Sequence, residues 1–485
     1  HYIGEAAPGD YIAKILADLG VDQEFEELDP EGYDELIFPD FRFLMPASRQ
    51  LYRDRLVDLF PAERRGIDAY MKLLRDVSKA RHMAVAGGGD ISPWAAIKIL
   101  FGAPRAAIYN SWTLGRLIDS YTKDPKLKAL LAAQQGDYGL PPGEVSAMFH
   151  AGLIDHFTGG AYYPKGGGQA ISDKLAASIE AHGGTIHLKR AVSEIIIEGG
   201  RAVGVKTEPR RGVVHEVRAK AVLSNADLRS TLLNLVGPQH LPSKIVKQAK
   251  EWTWPCGIFM TFLGIRGDVK DFGFGPRNYW QFDSYDFDKA YAEGAGNVEP
   301  PLGGGYITSA SAKDPTGRWH GPEGISTVEI MGPVDSSLGV WGTDDAVAAA
   351  KWGYRRDEGY QDLKQRLEDD QIARMEKLFP GTSAAIVFKE SATPLSHSRF
   401  TRAEEGTGYG IALSPKQFGP KRPGHKTVVP GLFACGASTR GNLGILGVSL
   451  GGQEAARQVA KHLGRPMGPR WGKADTALLG AGDKD

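Results

Sequence analysis

Gly431-Leu-Phe-Ala-Cys-Gly-Ala-Ser-Thr-Arg-Gly-Asn-Leu-Gly-Ile-Leu-Gly-Val-Ser-Leu-Gly-Gly-Gln-Glu-Ala-Ala456, near the end of the chain, reads as one buried strand, a glycine-rich loop and a helix. The strand runs from Leu432 to Cys435, and the helix is expected to begin near Val448. Glycines at 441, 444 and 447 let the backbone take positive φ and come close to a ligand. The helix start beyond them offers free N–H groups and the positive end of a macrodipole. Such a site suits a flat, electron-rich group that gains negative charge, and a reducible flavin fits that description. The alternative reading is an ordinary glycine-rich αβ corner.

Four further stretches stand in a telling order: Tyr162-Tyr-Pro-Lys-Gly-Gly-Gly168, Gly183-Gly184, Gly200-Arg-Ala-Val-Gly-Val205 and Ser224-Asn-Ala-Asp227. Read with the C-terminal stretch, the chain resembles the FAD-dependent phytoene desaturase family along nearly its whole length. The opening His1-Tyr-Ile-Gly4 and the run from Tyr162 to Gly168 are most similar to the carotenoid isomerase and retinol saturase branch. The resemblance implies an α/β fold, α+β overall, whose FAD-binding layer is Rossmann-like, of the glutathione-reductase type and discontinuous in sequence. It implies FAD as cofactor, with NAD(P) as a candidate electron partner. In families of this pattern the residue opening the strand after Arg190 meets the adenine end of FAD, which points to Val192. Ser224 and Asn225 then end a strand near the cofactor, and Gly436, Ala437, Gly444, Gly447 and Val448 line it from the C-terminal loop. The family's G-x-G-x-x-G βαβ unit, which lies just upstream of the segment like His1–Gly4, has no counterpart in this sequence, so the chain reads as one without its N-terminal flavin-binding unit.

Composition bounds the function. A chain of 485 residues holds roughly two or three domains at about 150 residues each. Lys plus Arg equals Asp plus Glu at 58 each, so no basic field exists to hold nucleic acid, and the expected partner is an apolar small molecule. Cys256 and Cys435, far apart in apolar stretches, exclude a disulfide framework and point to a reducing, cytoplasmic setting. No apolar run reaches the ~18 residues that span a bilayer, so a soluble or peripheral protein is expected. Residues 91–113, apolar with isolated cations at Lys98 and Arg105, suit either a membrane surface or core helices around a substrate tunnel. Nothing in the sequence fixes an oligomeric state.

In chain order, residues 1–158 read as the first, mainly helical part of a substrate domain, with a short helix from Asp10 to Gly20, a strand over 39–46 and helices from Leu51 to about Leu153. Residues 159–250 form the middle part of the FAD-binding domain: a helix after Gly166–Gly168, then strands at 185–190, 192–198, 201–206 and 213–223. Residues 251–390 return to the substrate domain, with a β-rich stretch over 252–264 and a helix from Asp357 to Phe379. Residues 391–464 close the FAD-binding domain, and 465–485 read as a disordered tail.

Candidate chemistry is sparse. His156 and His397 stand where the chain returns from substrate domain to cofactor layer, the places for a general acid or base, with Lys165 and Arg399 as charge stabilisers. The competing reading gives all four packing or backbone-bonding roles. The 12 histidines show no metal-ligand spacing, so no metal site is expected. Gly447-Val-Ser-Leu-Gly451 matches G-x-S-x-G and raises a rival serine hydrolase at Ser449, although an elbow needs a strand running directly into the serine. The other rival is a non-catalytic subunit that binds no flavin. The leading reading is an FAD-dependent oxidoreductase on a carbon–carbon bond of an isoprenoid-like substrate, by desaturation, saturation or redox-assisted isomerisation.

Overall fold

In a computed structural model, which describes residues 1–86, 93–209, 212–314, 316, 321–341, 353–441, 443–465 and 467, helices and sheets segregate into a helical block, a large antiparallel-rich sheet and a small α/β layer. The seven-stranded sheet has the order Ile386–Ala392, Gly257–Arg266, Ile325–Val334, Gly304–Thr308, Asn278–Phe282, Asp34–Ile37 and Arg42–Met45. Its ladders are antiparallel except where Asn278–Phe282 runs parallel to Asp34–Ile37. That single parallel join lets a strand from the first tenth of the chain complete a sheet built mainly from residues 257–392. The helix Glu358–Leu378 covers one face, burying Leu367 and Met375 against Phe259 and Ile330 in adjoining apolar clusters. Phe274 and Phe379 stack with ring centroids 3.7 Å apart at the edge of that layer.

The helical block runs from Arg49–Leu59 to Ala147–Phe157, as the period of three and four predicts. Its longest member, Arg64–Ala86, buries Ile67, Tyr70, Leu73, Leu74 and Val77 on one stripe. Asp124 opens the helix Pro125–Ala132 by accepting from the Lys126 and Leu127 amides, with Pro125 at the first position. Asp10 stands at the N-cap of Tyr11–Asp18, but its carboxylate accepts instead from the Ala7 amide. No helix among the described residues is long and apolar enough to cross a membrane.

The α/β layer joins segments remote in sequence. Leu432–Ala434 pairs in parallel with Val222–Ser224, so the strand read from the C-terminal stretch lies beside the strand that ends at Ser224. Val192–Glu198, Arg201–Thr207 and Glu216–Arg218 form the antiparallel ribbon. Three expectations need correction. Residues 185–190 form no strand: they find no ladder partner among the described residues, and Leu188 is 78% exposed. The C-terminal helix begins at Gly444, not near Val448, because the glycine-rich segment itself winds into the first turn. The predicted strand over 213–223 divides into Glu216–Arg218 and Val222–Ser224. Most of the C-terminal stretch read as disordered lies outside the described residues.

Candidate functional site

The Gly436–Gly444 loop is held from below by a buried arginine. Arg422, 1% exposed, donates from Nε to the Thr439 carbonyl at 3.0 Å and from Nη2 to the carbonyls of Ala437 at 2.6 Å and Ile411 at 2.9 Å. Its Nη1 reaches the Gln417 carbonyl at 3.2 Å. These acceptors are neutral carbonyls, and burial lowers the guanidinium to about 9, which still leaves it charged at neutral pH. One planar fork therefore ties the loop to the segment Ile411–Gln417. No motif marked Arg422; its only sequence signal is the cation pair Lys421-Arg422 between Pro420 and Pro423 in a stretch that must turn back beneath the loop.

Above that clamp Ser224 and Asn225 meet the turn at Gly436. Gly436 has φ of 94°, and a Cβ there would stand 2.2 Å from Asn225 Oδ1, so Asn225 and Gly436 touch. The Ser224 carbonyl accepts from the Cys435 amide at 2.9 Å, and its hydroxyl lies 2.8 Å from Thr231 Oγ1. The helix Gly444–His462 has no side-chain cap, leaving the amides of its first turn, that of Gly444 included, without a capping oxygen. A Cβ on Gly444 would meet open space. Val448 lies in the second turn, half-buried, and Val192 opens its strand opposite Thr207. This open, uncapped and glycine-lined cradle fits the ring end of a flavin.

A cavity of about 1100 Å³ lies next to this loop. Trp254, Ile258, Met260, Trp280, Phe282 and Met331 give it apolar walls, and Tyr2, Asp137, Gln281, His397 and Tyr409 add polar groups. The link to the loop runs through the segment that follows the lining residues Gly408 and Tyr409. A Cβ on Gly410 would stand 2.7 Å from Ser438 Oγ, which also accepts from the Ile411 amide at 3.2 Å. Next to Gly410, Tyr409 donates to the Gly136 carbonyl at 2.5 Å, one residue before Asp137. Gly136 has no room for a side chain, since a Cβ would come 2.5 Å from the Trp280 ring.

Beneath the cavity lies a buried polar cluster that no motif announced. Tyr2 Oη is 2.9 Å from Asp137 Oδ2 and 3.1 Å from Asp34 Oδ2. Asp34 also accepts from Gln134 at 2.9 Å and Asn278 at 2.7 Å. Lys313 donates to Asn278 Oδ1, to Thr308 Oγ1 at 2.5 Å and to the His1 carbonyl at 2.8 Å. Burial, then the charge of Asp34, pushes Asp137 up to about 8. Burial also raises Asp34, but three hydrogen-bond donors and Lys313 offset part of that rise. Burial draws Lys313 down to about 7, against the pull of Asp34 and Glu329. The available signal was the polar run Gln134-Gln-Gly-Asp137 inside an otherwise apolar helical stretch.

Of the four candidates for proton or charge work, His397 lines the cavity; its Nε2 is buried without a hydrogen-bond partner, and burial lowers its pKa. His156 lies elsewhere: its Nε2 accepts from the Gly4 amide at 3.1 Å, and its Nδ1 is 3.4 Å from Glu5. Lys165 stands at the surface between Glu24 at 3.1 Å and Glu26 at 3.7 Å. Arg399 lies over the Phe400 ring at 5.4 Å. Ser449 sits inside the Gly444–His462 helix and not on a turn between strand and helix, so it lacks the strained exposure of a nucleophile elbow.

Glu5 joins the same region through an ion pair with Arg81, whose other arm holds Asp155 at 3.1 Å. Burial raises Glu5, but Arg81 and His156 outweigh it and hold the carboxyl at about 2. The folded pKa lies below the unfolded one, so the stabilisation is complete above about 4.5 and is lost as pH falls toward about 2. Glu5→Gln is expected to flatten the acid limb of stability measured by urea unfolding. An unchanged acid limb would show that Glu5 carries no such linkage.

The Flavin containing amine oxidoreductase family matches residues 114–260. The chain is 26% identical to the all-trans-retinol 13,14-reductase of Danio rerio over 428 residues, 84% of this chain and 68% of that protein. It is 27% identical to the chloroplastic prolycopene isomerase of Daucus carota over 365 residues, spanning 74% of this chain and 54% of that protein. Among solved structures, an oxidoreductase from Methanosarcina mazei superposes with a TM-score of 0.58 at 15% identity, over 94% of this chain and 87% of the other. Cyclohexylamine oxidase from Brevibacterium oxydans IH-35A does so with a TM-score of 0.54 at 13% identity, over 96% and 87%. The chain has the mixed α/β fold of these oxidoreductases, and the matches bear out both the resemblance to the retinol saturase and carotenoid isomerase branch and the reading as a flavin-type oxidoreductase.

Proposed function

We propose that this protein is an FAD-dependent oxidoreductase acting on a carbon–carbon bond of an apolar, isoprenoid-like substrate. The observation that carries the reading is the aromatic- and methionine-walled cavity of about 1100 Å³ joined to the glycine-rich loop through Gly408 to Ile411. A cavity of that size and lining suits a long apolar molecule. The names of the relatives, a retinol reductase and a prolycopene isomerase, support the substrate class.

Bound FAD would supply the two-electron redox chemistry. The residues that would hold it are Gly436, Ala437, Gly444, Gly447 and Val448 in the loop and first helical turns, with Ser224 and Asn225 facing them and Val192 toward the adenine end. The uncapped helix start would favour negative charge at the pyrimidine end of the ring. The cavity walls would orient the substrate, and His397 presents a buried imidazole nitrogen at one wall. The test is direct. The intact protein is expected to carry FAD visible by absorption and released on denaturation, and, once reduced, to be re-oxidised by all-trans-retinol or to isomerise prolycopene without net re-oxidation. A colourless protein that FAD does not reconstitute, or one inert toward both probes, would sink the reading.

A further inference from the structure

The cavity wall and the buried cluster beneath it meet at one carboxyl group. Asp137 ends the short helix Ala133–Asp137 and lines the cavity, while its Oδ2 lies 2.9 Å from Tyr2 Oη, whose own proton goes to Asp34 at 3.1 Å. The Tyr409 hydrogen bond to Gly136 fixes this carboxyl against the segment that packs on Ser438 of the glycine-rich loop. From the cavity side, Tyr2, Tyr306 and Tyr409 surround it. From the sheet side, Asp34 lies behind Tyr2, neutralised in part by Lys313, with Glu329 beyond. Tyr33 and Tyr138 complete the shell, and both stay neutral because burial raises them.

We infer that Asp137 is the proton donor for hydrogen addition across a carbon–carbon double bond of a substrate held in this cavity. The inference rests on the proposed function and adds its direction, reduction, and the residue that supplies the proton. In the step, the O–H bond of Asp137 breaks and a C–H bond forms at one substrate carbon. The other carbon receives a hydride with its electron pair from a reduced flavin, which is thereby oxidised. Asp137 is left as carboxylate and regains its proton from water entering the cavity. Two adjacent carboxyls with different surroundings divide the roles: Asp34, with three hydrogen-bond donors, is the better anion, and its charge keeps the proton on Asp137. A group charged with a proton at neutral pH suits an acid and not the base that desaturation needs.

Asp137→Asn keeps the shape and removes the proton. Infrared spectra of the protein are expected to show a protonated carboxyl band that titrates near pH 8 in the wild type and is absent from the variant. The folded pKa is raised, so the associated stabilisation is present at acid pH and lost as pH rises through about 8, a loss that Asp137→Asn should abolish. With FAD bound and reduced, re-oxidation by all-trans-retinol or prolycopene should slow by about 100-fold or more in the variant, while FAD binding is unchanged. Tyr2→Phe, which keeps the ring, should shift the carboxyl titration and slow the same step. Absence of the carboxyl band from the wild type, or equal re-oxidation by wild type and Asp137→Asn, overturns the proposal and leaves the flavin reading standing. A wild type that isomerises prolycopene but is re-oxidised by neither probe overturns this proposal alone; one that binds no FAD, or is inert toward both probes, overturns both.

Discussion

Replacing Arg422 by methionine is expected to cost at least about 3 kcal/mol of stability, because several buried carbonyls lose their only strong donor at once. The side chain is 1% exposed and bonds the carbonyls of Ile411, Gln417, Ala437 and Thr439. Two of these acceptors lie in the loop beneath the cofactor cradle and two in the segment that leads to the cavity. Loss of the fork should therefore weaken FAD retention as well as the fold. Arg422→Lys should recover part of the stability, since an ammonium cannot reach both sides of the guanidinium plane. Urea unfolding and the flavin-to-protein absorbance ratio measure the two effects. A methionine variant within about 0.5 kcal/mol of the wild type would remove Arg422 from its role.

Gly441→Ala should have the next largest effect. A Cβ there would stand 2.5 Å from the Gly447 carbonyl oxygen, 2.8 Å from Gly451 Cα and 3.0 Å from the Gly451 amide nitrogen. All three are backbone atoms, so no rotamer change can relieve the clash, and the helix start must shift. Overpacking of this kind costs about 1–3 kcal/mol. A shift of this helix also moves the amides of its first turn, which are proposed to face the flavin, so FAD binding should fall further than stability alone would explain. Ser449→Ala in the same helix is the control: a helical serine tolerates alanine, whereas a nucleophile would not. A Gly441→Ala variant that binds FAD normally would separate this helix start from the cofactor.

The parts of the fold legible in the sequence were those with a local period or a local stop. The stripe of Ile67, Tyr70, Leu74 and Val77 predicted a helix because side chains three and four apart share a face. The helix Glu358–Leu378 followed from the same rule, ended near Phe379 before the Pro380-Gly381 turn. Residues 185–190 failed because alternation describes a strand only if a neighbouring strand accepts its hydrogen bonds. The helix start failed by four residues because glycines that read as loop also satisfy a first turn.

The sequence by itself determined the strand at Leu432, the glycine-rich approach to a helix start, the antiparallel ribbon after Val192 and the balance of charge that leaves no basic field for a polyanion partner. Each depends on residues within a few positions of one another or on composition alone. Only the tertiary structure decided that Tyr2, Asp34, Asp137 and Lys313 share one buried cluster, and that Arg422 clasps a loop 15 to 17 residues ahead. Burial and a neighbouring charge set whether a carboxyl keeps its proton, and both come from chain segments more than a hundred residues apart, which no local pattern encodes.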